Sequence, residues 1–307
     1  RTGQFDIGLD LGLFNNRLRI TTDYYKKKTT DLLYSVAVPA TSGYQTMLKN
    51  IGSIENQGYE LSIESDNLTG AFSWTTAFNI AFNRNKVLEL GGEEYKEMAE
   101  GDGHLKTGSV RRLIVGEPIG VFYGYRFDGI FQNEEECKQQ TSSASPIGVG
   151  LRRYKDLNGD GKVDAANDRE ILGDANPKFF GGLTNTFAYK GFELNVFLQY
   201  SYGNKILNYN AMELENPTGG QNAYADMVNR WTPENPSNIY PKATTNRALL
   251  VSDRFIEDGS YLKLKTLSLS YSFPKINLKH IQGLRLYVTG QNLLTWTKYR
   301  GYDPEVS

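Results

Sequence analysis

The 307 residues carry 34 Lys plus Arg against 35 Asp plus Glu, a net charge of −1 that lacks the basic excess of a nucleic-acid-binding chain. One cysteine, Cys137, makes no intrachain disulfide and reads as an inert loop residue; two histidines, His104 and His280, leave no multi-histidine metal site and few bases for a Ser-His-Asp triad. Mean hydropathy is −0.49 and no apolar run nears the roughly 18 residues of a spanning helix, which says nothing against β-strands that are only half apolar.

The chain begins at Arg1 without a signal-peptide pattern, which reads as a mature, processed or partial sequence. From Phe5 to Leu13 every odd position is apolar (Phe5, Ile7, Leu9, Leu11, Leu13), with Asp6, Gly8, Asp10 and Gly12 between them. That period of two predicts a strand with unlike faces. Asn15-Asn16 predicts a tight turn, because Asn tolerates positive φ. A return strand follows through Leu18, Ile20, Thr22 and Tyr24 to Lys26-Lys27-Lys28.

A second pair alternates at Tyr59, Leu61 and Ile63, turns at 66–70 and returns with Phe72, Trp74, Thr76, Phe78, Ile80 and Phe82 on one face. A third runs from Phe179 to Ala188, turns at Tyr189-Lys190-Gly191 and returns through Phe192, Leu194, Val196, Leu198, Tyr200 and Tyr202. The fourth is Leu262 to Phe273, a turn over about 274–282, then Leu284, Leu286, Val288 and onward to Trp296.

Several of these strands run about 10 to 12 residues, the length of a tilted membrane crossing, where soluble strands usually have 5 or 6. Short turns at 15–16, 66–70, 189–191 and about 274–282 alternate with long connections near 29–53, 84–177 and 203–259. That layout is the one of outer-membrane barrels, and a compact soluble domain rarely needs several such loops. Gly120–Phe131 also reads as strand, but one more crossing would break parity, so it is expected in an extracellular hairpin. Tyr24, Tyr25, Trp74, Tyr200, Tyr202, Trp296 and Tyr299 fall toward strand ends and are expected in interfacial girdles. Phe72, Trp74, Phe78, Ile80 and Phe82 are expected to face lipid, and Ser73, Thr75, Asn79 and Asn83 the lumen. The aromatics Tyr44, Tyr95 and Tyr240 are loop candidates for stacking on sugars, with no basis for choosing among them.

One constellation carries metal chemistry. Asp156-x-Asn158-x-Asp160-Gly161 opens like a calcium loop, with the Lys162 carbonyl at position 7 and Asp164 at position 9. Position 12 is Asn167, so Asp168, one place late, would complete the shell only through a bulge at Ala165-Ala166. The metal residues expected are Asp156, Asn158, Asp160, Lys162, Asp164 and Asp168. The alternative is an Asx-rich turn whose side chains cap backbone amides.

Six stretches then resemble one family, the SusC-like (SusC/RagA) TonB-dependent outer-membrane receptors. They are NIGSIENQGYEL (Asn50–Leu61), GEPIGVFYGYRFDGIF (Gly116–Phe131), YKDLNGDGKVD (Tyr154–Asp164), ILGDANPKFFGGLTNTFAYKGFELNVFLQYSYGNKI (Ile171–Ile206), DGSYLKLKTLSLSYSFP (Asp258–Pro274) and LRLYVTGQNLLTWTKYRGYDPE (Leu284–Glu305). The resemblance implies a 22-stranded barrel with a plug, importing oligosaccharides or peptides with a SusD-like surface lipoprotein and driven through TonB. It also implies that residues 1–307 are the C-terminal part of the barrel, strands 14 to 21, with the plug and the final strand absent.

The expectation is therefore an all-β chain, an antiparallel transmembrane β-barrel portion of about eight spanning strands, with long extracellular loops. Residues 84–177 form the long extracellular loop region that carries the calcium-like loop. It lies in the outer membrane of a Gram-negative bacterium, touching lipid, a SusD-like lipoprotein, TonB through the absent plug, and oligosaccharide or peptide cargo. No catalytic residue, bound organic cofactor or nucleic-acid partner is expected, and Ca2+ is the cofactor expected. A secreted β-rich carbohydrate-binding or adhesin module with a calcium-stiffened loop is the first rival. An outer-membrane protease or phospholipase is the second, and no nucleophile, base and orienter stand in register for it.

Overall fold

Alternating apolar and polar residues propagate through one antiparallel sheet of eight strands, in chain order. In the computed structural model, which describes residues 1–37, 46–98, 109–216, 222–245, 249–273 and 283–305, these are β1 (Thr2–Leu13), β2 (Leu18–Ala37), β3 (Thr46–Thr69) and β4 (Phe72–Leu90), then β5 (Phe179–Tyr189), β6 (Phe192–Tyr202), β7 (Tyr261–Phe273) and β8 (Leu284–Thr297). Register keeps the apolar residues level from strand to strand. Leu9 opposes Thr22, Tyr24 opposes Tyr59, Leu61 opposes Ile80, and Phe78 opposes Leu183. Leu183 opposes Leu198, which opposes Leu264, which opposes Leu294.

The turns follow from local chemistry. Asn15 and Asn16 adopt φ of 55° and 63°, the left-handed region that Asn tolerates. Lys190 (φ 47°) and Gly191 (φ 89°) close a two-residue hairpin between Tyr189 and Phe192, whose positive φ values suit the strand twist. The β7–β8 turn expected over about 274–282 lies outside the described residues.

Two strand boundaries need correction. The connection expected over 29–53 is largely strand: β2 and β3 continue in register as far as Ala37 opposite Thr46. A bulge near Asp31, at φ 56°, shifts the register between Thr29 and Leu33 and hides the alternation. Likewise β4 continues to Leu90, beyond the expected boundary at 84.

The chain divides into two compact units, 1–91 with 176–204 and 259–298, and 92–175 with 205–258 and 299–307. The second contains a four-stranded sheet ordered Arg169–Asp174, Val121–Tyr125, Arg111–Ile114, Tyr95–Glu97. Phe127–Ile130 pairs with Arg152–Tyr154, and Lys205–Leu207 with Ile256–Asp258. Gly120–Phe131 therefore stays out of the eight-stranded sheet, as parity requires. It is not a hairpin, however: its two halves pair with different partners, because Gly129 (φ 95°) and the Tyr125–Phe127 junction turn the chain away from itself.

The two units bury opposite things. The second has an ordinary apolar core of Val110, Phe122, Leu207, Met212, Leu249, Val251 and Phe255. In the first, large apolar side chains stay uncovered, with Ile7 60%, Leu286 57% and Val288 77% exposed. An uncovered apolar face this wide has its match in hydrocarbon rather than water.

Candidate functional site

The uncovered face is bounded by two aromatic belts. At the tight-turn end Phe72 and Trp74 pack on Phe187 at 6.4 and 5.8 Å, Phe192 packs on Tyr271 at 4.5 Å, and Tyr271 on Phe273 at 4.8 Å. At the other end Phe82 meets Phe179 at 5.9 Å, and Phe179 meets Tyr202 at 5.0 Å. Phe192 and Tyr202 are ten residues apart on β6, about 33 Å of strand, which tilted by about 40° spans about 25 Å of height. That is the height of the apolar band of an outer-membrane barrel, about 25 Å. Tyr24, Trp74, Tyr200, Tyr202 and Trp296 occupy this face in the register given above. Tyr25 does not: it is one residue out of phase and points to the other face, where its hydroxyl donates to Asn83 Oδ1 at 3.1 Å. Tyr299 follows β8 and is buried in the second unit.

One polar group on the apolar face is closed upon itself. Asn185 Oδ1 accepts Trp74 Nε1–H at 2.9 Å and Thr76 Oγ1–H at 2.8 Å, and Thr76 Oγ1 accepts from Asn67 at 2.8 Å. Lipid supplies no partners, so this closure is what a membrane-facing surface requires.

The opposite face is polar along its length. Arg19 pairs with Glu64 at 3.0 Å and Asp66 at 3.4 Å, and Arg285 with Glu193 at 2.7 Å. Thr21 donates to Asp10 at 2.6 Å, and Asn195 to Thr186 at 2.9 Å. A cavity of about 240 Å³ lies among Arg19, Glu64, Asp66, Thr75, Thr184 and Thr186. Both charge signs and many neutral donors and acceptors line this face, which suits a wet conduit for polar solutes and favours neither ionic sign.

In the second unit a buried charge cluster gathers residues that no local motif announces. Glu215, 1% exposed, receives Arg254 at 2.5 Å and Arg300 at 2.9 Å, and Glu257 receives Arg300 at 2.7 Å. The main-chain carbonyl of Glu215 accepts Arg152 Nη2–H at 3.0 Å. Burial alone would lower the pKa of Arg300, but its bonds to Glu257 and Glu215 hold it above the ordinary value. These residues are spread from 152 to 300, so only the fold brings them together.

The aspartate loop is held by its own amides. Asp156 accepts from the N–H groups of Gly159 and Gly161, both at 2.7 Å, and Asp160 from that of Lys162 at 2.8 Å. Asn158 accepts from Asp160 at 3.2 Å, and Asp164 from Ala166 and Asn167, both at 3.0 Å. Asp168 is fully buried, and its two oxygens take the N–H groups of Leu157 at 2.8 Å and Asp164 at 2.7 Å. The main-chain N–H of Asn167, with help from Lys162 and Ala166, holds the Asp164 carboxyl below its ordinary pKa. As arranged, Asp156 and Asp168 each give both carboxylate oxygens to backbone amides. Among the described residues no three His, Cys, Asp or Glu side chains gather in a metal-holding group.

Other candidates resolve simply. Tyr240 donates to Asp226 at 3.2 Å and lies under Arg254, while Tyr95 is half exposed beneath Arg112. Cys137 sits on a short helix, Glu134–Lys138, rather than a loop. Burial and the charges of Glu134 and Glu136 push its thiol pKa up, which keeps it unreactive. Tyr44, His104 and His280 lie outside the described residues.

Residues 2–293 match the family model described as TonB dependent receptor-like, beta-barrel. The chain is 41% identical over 307 residues to TonB-dependent receptor P3 of Formosa agariphila, covering 99% of this chain and 30% of that protein. It is 29% identical over 320 residues to TonB-dependent receptor SusC of Bacteroides thetaiotaomicron, covering 100% of this chain and 30% of the relative. Among solved structures, that of the RagAB peptide transporter superposes with a TM-score of 0.80 at 27% identity, covering 100% of this chain and 33% of that one. The chain spans about a third of the length of the proteins it matches.

Proposed function

The chain belongs to the TonB-dependent receptor-like β-barrel family, and from that premise we propose that it forms one wall of an importer that takes up oligosaccharides or peptides with a SusD-like surface lipoprotein. It lies in the outer membrane, and its relatives are transporters and receptors rather than enzymes. The observation that carries the reading is the two-faced sheet: apolar residues level across eight strands between aromatic belts, with charged and hydroxyl groups behind them. A barrel wall of that kind is passive, so the energy for import comes from other parts of the intact protein. SusC-type and RagA-type likeness supports the lipoprotein partner, and the mixed polarity of the inner face suits hydrated cargo of either class.

The test is uptake by cells carrying or lacking the gene, with labelled oligosaccharides and oligopeptides offered separately, in the presence and absence of TonB. Uptake of one class that needs both the gene and TonB is expected, together with recovery of a surface lipoprotein on purification. Uptake that persists without TonB overturns the reading.

For the Asp156–Asp168 loop we propose Ca2+ as a structural ion, supported by the Asp-x-Asn-x-Asp-Gly spacing. Asp156, Asn158, Asp160, the Lys162 carbonyl and Asp164 would hold it, with Asp168 continuing to brace the backbone. Bound there, Ca2+ would neutralise the loop's crowded carboxylates. Calcium titration of the intact receptor by calorimetry, with Asp156→Ala/Asp160→Ala as control, should show binding that the double change removes. No heat at saturating calcium leaves the loop a self-capped turn.

A further inference from the structure

The buried charge cluster has one guanidinium too many. Arg254 and Arg300 share the Glu215 carboxylate, and Arg300 also takes Glu257. Neighbouring acids are engaged elsewhere: Asp253 with Arg126 at 3.5 Å, and Asp128 and Glu136 with Arg153 at 3.0 and 3.4 Å. Arg152 is left with a neutral acceptor, the Glu215 main-chain carbonyl, as its one hydrogen bond among the described residues. Its Nε is fully buried and finds no acceptor among the described residues. The Phe255 ring stands 5.9 Å from Arg152 and 5.7 Å from Arg254, spacing the two cations without neutralising either.

Arg152 also lines a cavity of about 160 Å³, whose other walls are apolar at Leu151, Pro241 and Leu250 and polar at Ser145, Asn216 and Thr244. One water needs about 10 to 15 Å³ on this measure, so the space has room for the end group of a larger molecule. Burial beside an under-neutralised cation strengthens a charge-assisted bond to an incoming anion. Burial lowers the pKa of Arg152, and the charge of Arg254 adds to it, while Tyr154 and the Glu215 carboxylate oppose the shift.

We infer that this cavity is a carboxylate-binding subsite in which Arg152 receives the acidic end group of a cargo molecule, either a uronate sugar or the carboxylate of a peptide. The cargo role rests on the import reading, while the binding chemistry stands on the cavity and its cation. The planar guanidinium suits an oxyanion, and the buried Asn216 side chain is a further polar group in the lining.

The experiment is calorimetric titration of the intact receptor in detergent with glucuronate, N-acetylglutamate and glucose. Saturable binding of at least one carboxylate is expected, with none for glucose. Preference for glucuronate points to an acidic glycan, and preference for N-acetylglutamate to a peptide. Arg152→Gln should weaken binding about 10- to 100-fold, since one charge-assisted hydrogen bond is lost. Ser145→Leu, which narrows the cavity while keeping Arg152, should weaken it too; if Arg152→Gln does not fold, this variant and Arg152→Lys decide. Binding of glucose equal to that of the acids, no binding of either acid, or binding untouched by the folded variants overturns the inference. Uptake that is independent of TonB, with carboxylate binding intact, would instead count against the import reading alone.

Discussion

Placing an arginine at Leu198 tests the assignment of the two sheet faces most directly. Leu198 lies near the middle of β6 (Phe192–Tyr202), with Leu183 and Leu264 opposite it. Eleven residues rise about 36 Å, or about 28 Å at a 40° tilt, so this side chain sits within a few ångströms of the bilayer midplane. Arginine at the lipid-facing midplane costs about 2–4 kcal/mol, or about 30- to 700-fold in the folding equilibrium. The control is Asn195→Arg on the polar face, which loses one 2.9 Å bond to Thr186, about 1 kcal/mol, and keeps its charge in water. Denaturant unfolding of the intact barrel from phospholipid vesicles should give a large midpoint shift for Leu198→Arg and a small one for Asn195→Arg. Equal shifts, or a larger one at Asn195, would refute the assignment of faces.

Three further outcomes follow from the geometry. Glu215→Gln leaves Arg254 buried without its counter-charge at a cost of about 3 kcal/mol, so the second unit should become protease-sensitive while the barrel keeps its heat-modifiable gel mobility. Because the native pKa of Asp164 is depressed, its stabilising contribution is present above the unfolded value of about 3.9 and is lost as pH falls through the lower native value; protease protection of the 156–168 loop should be flat from pH 5 to 8 and fail only under stronger acid, and a loss near pH 6 would contradict this. The isolated 307 residues present β1 and β8 as sheet edges, where each unpaired backbone group in lipid costs several kcal/mol; refolded alone in detergent they should aggregate or stay protease-sensitive, and a protease-resistant, heat-modifiable monomer would count against it.

The strands legible in the sequence are those with one face in lipid and one in water, because only there does burial impose a period of two. Phe5–Leu13, Phe72–Phe82 and Phe192–Tyr202 belong to this class, and the Asn15-Asn16 and Lys190-Gly191 turns declare themselves by their backbone requirements. The outer halves of β2 and β3 lack that signal, and the bulge at Asp31 resets the phase where a reader would look for continuity. Tyr25 was misplaced because Tyr24-Tyr25 offers two rings and only the register tells which one faces lipid. Arg152, Glu215, Arg254 and Arg300 have no local spacing at all, so their convergence could not be read from sequence. The aspartate loop stays ambiguous for a chemical reason: the oxygens that bind calcium are those that cap amides.

The interruption of the sheet by the second unit also has a kinetic side. Strands β1–β4, β5–β6 and β7–β8 are blocks in which sequence neighbours pair with each other. Joining β4 to β5 closes about 90 residues and joining β6 to β7 about 60, each about 2.5 kcal/mol more in chain entropy than a tight turn. The core of the second unit draws Val110 and Phe122 from the first of these segments and Leu207, Met212, Leu249 and Phe255 from the other. Collapse of that one core would compact both connecting segments in a single event and so lower the chain entropy left for the two closures. A cavity carved there, at Phe255 for instance, should slow barrel insertion without altering a single membrane strand.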